Sequence, residues 1–91
     1  MSLDNLRKNL SAIDRQLVEI IAERQRIVGQ IGKSKQSSGA STRDYAREKD
    51  VLDMGRKQAE EMGVDPDLIE SLLEMLIRSR LVARDFKGGD K

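Results

Sequence analysis

The chain of 91 residues contains no cysteine, no histidine and no tryptophan, and it has one phenylalanine, one tyrosine and one proline. Without cysteine no disulfide forms, and without cysteine and histidine the usual zinc ligands are missing, so we expect no metal site. The near absence of aromatic side chains removes the stacking surfaces to which single-stranded nucleic acids bind. A cysteine nucleophile and a histidine base are therefore missing as well.

An excess of charge of one sign is missing too. The chain has 17 Lys and Arg residues and 16 Asp and Glu residues, whereas a general nucleic-acid binder needs surplus positive charge. No apolar run reaches the roughly 18–20 residues of a membrane span, and no secretory signal is visible. We therefore expect a cytoplasmic protein with neither a nucleic-acid nor a membrane partner.

Because aromatic residues are nearly absent, a core must consist of Leu, Ile, Val, Met and Ala. Of all residues, 37% are hydrophobic and 36% are charged. This composition favours helices packed on helices, and the length suits one small domain. We expect an all-α domain over residues 1–84 and a flexible tail or linker stub over 85–91, where "DFKGGDK" has no apolar periodicity. A domain this small is marginal alone, and oligomerisation is its remaining way to gain burial.

A long apolar stripe marks the first predicted helix. Its members recur in steps of three and four with one gap: Leu3, Leu6, Leu10, Ile13, Leu17, Ile20, Ile27 and Ile31. The spacing predicts one helix from Leu3 to about Gln36, roughly 50 Å long. A compact chain of this length has a radius of gyration of only about 12 Å. The helix must extend beyond its own domain, so we predict a homodimer in which it runs across both protomers.

Capping signals place two further helices. Ser41 or Thr42 is the expected N-cap of the second helix, and Gly63 suits the position just past its end. Asp65 as N-cap and Pro66 as the first helical residue begin the third helix sharply. The prediction is therefore three helices per chain, one of them very long.

Two cations interrupt the stripe of the first helix. Arg24 fills the gap between Ile20 and Ile27, and Lys35 lies four residues beyond Ile31. At about 100° per residue the two cations lie on the same face. The ordinary explanation is that their stems are buried while their charged heads stay in water. That explanation is weaker for Arg24, which lies mid-helix on the line expected to be buried.

The third helix has a similar pattern. The apolar row of Leu68, Leu72 and Leu76 continues at the same spacing as Arg80 and Arg84. Cations near a helix C-terminus also interact favourably with the helix dipole, which is the simpler explanation for these two arginines.

Charged residues share one face of the second helix by the i+3 and i+4 rule, namely Asp44, Arg47 and Glu48. Taken alone, they are compatible with ordinary intrahelical ion pairs. Taken together, cations on the buried faces of three helices favour a cavity for an anion, and guanidinium groups suit carboxylate or phosphate. Because the sequence has no Cys or His nucleophile or base, no Gly-rich phosphate loop and no metal-ligand cluster, we expect any chemistry there to rest on electrostatic stabilisation and conformational restraint.

The pattern "LR…IDRQLVEIIAER…IGKSK…TRD…REKDVL" resembles the all-helical chorismate mutases. The segment "GVDPDLIESLLEMLIRS" is most similar to the mutase domain of bifunctional chorismate mutase–prephenate dehydrogenases, and the similarity covers about residues 3–84. It implies three helices per chain, intertwined into a homodimer with two active sites. It also implies the Claisen rearrangement of chorismate to prephenate, on the route to phenylalanine and tyrosine, without a cofactor.

The resemblance implies roles for single residues. Arg7 would bind one substrate carboxylate from the partner subunit, Arg24 would bind a carboxylate within its own subunit, and Arg47 is the remaining arginine near the carboxylates. Lys35 would donate to the ether oxygen as the C–O bond breaks and would help to hold a carboxylate. Arg7 and Arg24 are ~25 Å apart along one helix, whereas the ligand is about 8 Å long, so a second chain must supply Arg7.

The backbone of Asp44 and the side chain of Glu48 would hold the substrate hydroxyl. The last helix departs from the family, because Arg80 and Arg84 stand where a serine and, four residues on, a glutamine or glutamate are usual. Arg84 would still donate to the ether oxygen, and Arg80 would add a carboxylate contact or fold outward. Because arginine stays charged at any working pH, we predict activity without an acid optimum.

Other functions are compatible with the same residues. The fold also hosts isochorismate pyruvate lyase and aminodeoxychorismate mutases, and the changes at Arg80 and Arg84 are compatible with a changed substrate or a weakened enzyme. A non-catalytic helical dimerisation or regulatory module is a further alternative. Against it, a protein that only dimerises is better served by a leucine than by Arg24 on a buried face.

Overall fold

The computed structural model contains three α-helices, α1 (Leu3–Ser38), α2 (Tyr45–Met62) and α3 (Pro66–Gly88). The structure describes residues 2–38 and 44–88, with side chains for residues 2–34 and 44–79. Those residues include no strand, so the predicted all-α class with three helices is confirmed. Over the same ranges, no helix combines the length and the apolar character that crossing a membrane requires.

The N-cap of α2 is Asp44. Its backbone is extended (φ −124°, ψ 93°), and its carboxylate accepts a hydrogen bond of 3.0 Å from the N–H of Arg47. The prediction of Ser41 or Thr42 as the cap was therefore wrong, and both lie outside the described residues. Ser41, Thr42 and Asp44 are all residue types that favour the N-cap position, and Asp44 is the one that directly precedes α2.

The connection between α2 and α3 follows the predicted capping signals. Gly63 adopts the left-handed conformation (φ 74°), which favours glycine and ends α2. The carboxylate of Asp65 accepts a hydrogen bond of 2.9 Å from the N–H of Asp67, so α3 begins at Pro66 as expected. The domain boundary predicted at residue 84 falls inside α3 and stays a prediction.

Helices α2 and α3 form the main helix–helix contact, which we call the α2–α3 hairpin. Gly55 is buried there, and a Cβ at this position would collide with Cδ1 of Leu73. Arg56 of α2 also joins the two helices, because it donates hydrogen bonds to Asp67 at 2.8 Å and to Glu70 at 2.7 Å on α3. These bonds, that to Asp67 first, raise the pKa of Arg56 above its ordinary value. The missing side chain at residue 55 therefore lets the two helices approach closely.

Helix α1 extends away from the hairpin. It has 36 residues, and the molecule measures 55 Å along its longest axis. Within the described residues α1 contacts α3 and does not pack against α2. The radius of gyration is 16.4 Å, whereas a compact chain of this length has about 12 Å. The long first helix predicted from the stripe is thus confirmed.

The apolar stripe of α1 is open to solvent in the single chain. Its large hydrophobic side chains are 43–66% exposed, and they are Leu3, Leu6, Leu10, Ile13, Leu17, Ile20, Ile27 and Ile31. The accessible surface is 7487 Å² for a mass of 10.3 kDa, about 2,100 Å² more than the roughly 5,400 Å² of a folded monomer of that mass. Over the residues that the structure describes, the apolar side chains along α1 are therefore not enclosed in a core by a single chain.

Candidate functional site

A cavity of about 340 Å³ lies where the three helices meet. Its lining residues come from all three helices and from the N-cap of α2: Arg24, Val28, Ile31, Asp44, Arg47, Glu48, Val51, Leu76 and Ile77. Such a volume is at the lower end of small-molecule sites, and mostly apolar walls with a few polar groups are typical of them. We call it the three-helix cavity.

Helix α1 provides one wall of the three-helix cavity. Arg24, Val28 and Ile31 follow one face because they are four and three residues apart. Arg24 is half-buried rather than pointing into open solvent. A charge in such a position is screened less by salt than a charge on an open surface. Arg24 is therefore well placed to attract an anionic group.

The first turn of α2 provides the charged end of the cavity. Asp44, Arg47 and Glu48 lie there together, the first two exposed and Glu48 half-buried. The cap bond from the N–H of Arg47 to the carboxylate of Asp44 fixes where the helix begins. Unpaired N–H groups at a helix N-terminus favour negative charge. Among the described lining residues, the two arginines and the two carboxylates cancel in formal charge.

Helix α3 provides an apolar wall, Leu76 and Ile77. Just beyond it, the Oγ of Ser79 accepts a hydrogen bond of 2.7 Å from Nε2 of Gln25 and donates one of 2.9 Å to the carbonyl of Leu76. Our sequence reasoning missed this contact between helices. A glutamine and a serine 54 positions apart have no distinctive spacing, and only the packing of α1 on α3 brings them together.

The predicted site residues differ in where the structure places them. Those that meet at the cavity are Arg24, Asp44, Arg47 and Glu48. Arg7 is exposed and lies about 25 Å from Arg24 along α1. The side chains of Lys35, Arg80 and Arg84 lie outside the described residues, although their backbones belong to α1 and α3. In the part of the chain that the structure describes, no acidic cluster is arranged to hold a metal ion.

The three helices and the mixed-charge cavity form a small all-helical domain with a candidate site for a small ligand. A family model described as chorismate mutase type II matches residues 6–82. The chain belongs to this family, and the resemblance drawn from the sequence is confirmed.

Relatives of known name agree with the family. The chain is 34% identical over 86 residues to the T-protein of Enterobacter agglomerans, which covers 94% of this chain and 23% of that protein. It is 31% identical over 75 residues to the chorismate mutase of Methanocaldococcus jannaschii, covering 82% of this chain and 76% of that one. It is 29% identical over 79 residues to the bifunctional chorismate mutase/prephenate dehydratase of Escherichia coli K12. The chain spans about a fifth of the length of the first and third of these relatives.

Proposed function

We propose that the chain is a chorismate mutase, which rearranges chorismate to prephenate on the route to phenylalanine and tyrosine. The proposal rests on one observation, the meeting of Arg24, Asp44, Arg47 and Glu48 at one cavity in a chain of this family. Chorismate carries two carboxylates and a hydroxyl group. Arginines complement the carboxylates, and a carboxylate acceptor complements the hydroxyl. The absence of a cofactor and the cytoplasmic location stay predictions.

The charges described at the cavity are too few for a dianion, because the arginines and carboxylates there cancel. We assign the missing positive charge first to Lys35, which lies one helical turn beyond the last lining residue of α1. Arg7 of the partner subunit supplies the next charge. Arg80 and Arg84 follow Leu76 by one and two turns on α3, so they extend the apolar wall with cations.

A homodimer accounts for both the missing arginine and the open stripe of α1. Within one chain, Arg7 and Arg24 are about 25 Å apart along a straight helix, so only another copy brings Arg7 to the cavity. An excess surface of about 2,100 Å² per chain corresponds to an interface in the range of obligate homodimers, roughly 2,000–5,000 Å² in total. Two long helices that each cross into the other protomer make the dimer intertwined.

In a two-fold symmetric dimer, one pair of facing residues is enough to determine the register of the two α1 helices. We place Arg7 of one chain beside Arg24 of the other in an antiparallel pair. In that pairing the numbers of any two facing residues add up to 31, as 7 and 24 do. The symmetry axis then passes near residues 15 and 16. Ile13 and Leu17 lie on either side of that axis. Their side chains are exposed in the single chain and become buried against the partner in the proposed dimer.

In this site the reaction needs neither a nucleophile nor a proton shuttle. The arginines hold the enolpyruvyl arm over the ring in the chair-like geometry of the rearrangement, which removes entropy from the barrier. As the C–O bond breaks and the C–C bond forms, Lys35 and Arg84 donate hydrogen bonds to the ether oxygen, where negative charge develops. The backbone of Asp44 and the side chain of Glu48 hold the hydroxyl, and Arg80 adds a carboxylate contact.

The test is a turnover assay of the purified chain, with its solution mass measured at the same concentration. Loss of chorismate is followed by absorbance, and the product is identified by chromatography against prephenate. Parallel arms use isochorismate, with pyruvate release as the readout, and aminodeoxychorismate. Turnover in a parallel arm without turnover of chorismate would overturn the proposal in favour of the related enzyme. No turnover in any arm would assign the chain to a non-catalytic module.

A further inference from the structure

A two-bond relay connects α1 to the apolar wall of the three-helix cavity. Gln25, the residue after Arg24, donates from Nε2 to Oγ of Ser79 at 2.7 Å. Ser79 in turn donates to the carbonyl of Leu76 at 2.9 Å, and Leu76 lines the cavity. The relay therefore links the helix turn that carries Arg24 to the wall opposite it.

Among the side chains that the structure describes, few polar contacts fix the distance between these two walls. Among residues 2–34 and 44–79, the bond from Gln25 to Ser79 is the one side-chain hydrogen bond that joins α1 to another helix. Over the described residues, α1 contacts α3 and does not pack against α2. The position of Arg24 relative to Ile77 therefore depends on the contact between α1 and α3. Within that contact, the hydrogen bonds of the relay are the interactions that require a defined geometry.

Gln25 is a poor choice if stability alone is considered. Its Oε1 is buried and accepts no hydrogen bond from any residue that the structure describes. A buried acceptor without a donor lowers stability, whereas an apolar side chain of similar length has no such penalty. A residue that has a buried acceptor without a described donor and lies beside a cavity is a candidate for a role in function.

We propose that Gln25 and Ser79 are positioning residues, which hold Arg24 at a fixed distance from the Leu76–Ile77 wall. This inference rests on the proposed function of the cavity. Neither side chain lines the cavity, so their effect reaches the ligand through Arg24 and the wall. When the relay is lost, the cavity admits the substrate in more conformations, and fewer of them are reactive.

The first test compares Gln25→Leu and Ser79→Ala with the unaltered protein, using chorismate as substrate. We expect kcat to fall about ten-fold in each variant while KM changes by less than about two-fold. The melting temperature of Gln25→Leu is expected to equal or exceed that of the unaltered protein. The double variant should lose no more than either single one, because both break the same bond. A kcat within about two-fold of normal in both variants overturns the proposal.

A matched variant separates positioning from general structure. Ser79→Thr keeps a hydroxyl that bonds the carbonyl one turn back, so kcat is expected to recover to within about two-fold of normal. If the melting temperature of Gln25→Leu falls together with kcat, or if Ser79→Thr is as impaired as Ser79→Ala, the contact is only structural and the proposal is wrong.

A distance measurement keeps the inference testable if the unaltered protein does not turn over chorismate, which would refute the proposed function separately. The chain has no cysteine, so nitroxide labels attach cleanly to the exposed sites of Arg26→Cys and Ser71→Cys. The labelled chain is diluted into excess unlabelled protein, so that the measured pairs lie within one chain. Added Gln25→Leu should broaden the distance distribution between α1 and α3. An unchanged distribution overturns the positioning role.

Discussion

Arg24 on α1 and Arg47 on α2 line the same cavity, although within the described residues their two helices do not pack against each other. Helix α3 joins them, since it packs against α2 and also contacts α1 through Ser79 and Gln25. The relative placement of the two arginines is therefore set by a third helix. Changes to the contacts of α3 are expected to alter the site without touching a charged group.

Arg24→Leu is expected to separate activity from stability. The guanidinium group lines the cavity, and its loss should lower kcat/KM by about 100-fold or more. The leucine continues the apolar stripe of α1, so the melting temperature should stay level or rise. The matched control is Arg26→Leu, two residues along the same helix, where the arginine pairs with Glu23 at 2.5 Å on an exposed surface. Such pairs contribute little, so kcat/KM should remain within about two-fold of normal. Equal losses in both variants would contradict a role for Arg24 in binding.

Cysteine cross-linking tests the register proposed for the dimer. In that register Leu17 is about 4.5 Å from its symmetry mate along the helix axis, whereas Leu6 is about 28 Å from its own. The two leucines are 48% and 47% exposed in the single chain, so they are a matched pair. With a short bismaleimide, Leu17→Cys should give a covalent dimer on a denaturing gel and Leu6→Cys should not. Cross-linking of both variants would indicate parallel helices, and cross-linking of neither would contradict the proposed contact.

The pH profile of the unaltered protein should be flat. The chain has no histidine or cysteine, and these are the side chains that ordinarily titrate between about pH 6 and 9. Lysine and arginine stay protonated throughout this range. We expect kcat/KM to vary less than about two-fold from pH 6 to 9. An acid optimum would show that a protonated carboxyl group does the work assigned to Arg84.

Substitution of Arg84 should create such an optimum. In Arg84→Glu the carboxyl group donates a hydrogen bond only when it is protonated, so activity should be low at neutral pH and rise as the pH falls. Arg84→Gln keeps a neutral donor of nearly the same size, and its profile should stay flat. Two profiles of the same shape would place Arg84 away from the ether oxygen.

Lys35→Ala should impair chemistry more than binding. If the ammonium group stabilises the developing oxyanion, kcat should fall about 10²-fold or more, as for other oxyanion donors. Lys49→Ala is the control, because that ammonium group pairs with Asp53 at 2.9 Å on the exposed surface of α2. Near-normal turnover in Lys35→Ala would remove this residue from the mechanism.

Gly55→Ala should destabilise the α2–α3 hairpin. The new methyl group would meet Cδ1 of Leu73 and lie 3.4 Å from Cγ2 of Ile69. Overpacking of this kind costs about 1–3 kcal/mol, and better helix propensity returns about 1 kcal/mol. Gly29→Ala is the opposite case, since no described atom lies within 4 Å of the added carbon. Its melting temperature should rise by roughly 4–8 °C, while that of Gly55→Ala should fall.

The helices were predictable because their signals are local. The stripe beginning at Leu3 and the Asp65–Pro66 start depend on residues within a few turns of each other. The collision of a Cβ at residue 55 with Leu73 is not local, and the sequence analysis did not anticipate it. A glycine inside a helix looks like a weakness until its neighbour across the contact is known.

The residues of the candidate site were predictable where a charged residue stands at a position that the helical spacing assigns to an apolar one. Arg24 was singled out because it occupies a position where the stripe requires an apolar residue, and Asp44 and Glu48 because helical spacing aligns them with Arg47. Gln25 and Ser79 were missed because neutral polar residues break no pattern. Their contact follows from how α1 crosses α3, which one chain's periodicity does not specify.

The exposed apolar face of α1 also has a consequence for how stability depends on protein concentration. In the proposed homodimer, α1 buries its apolar face against another copy, so association adds free energy to folding and the melting temperature should rise with protein concentration. On the proposed assembly each active centre is shared between two chains, and dilution should dismantle both centres of a dimer at once.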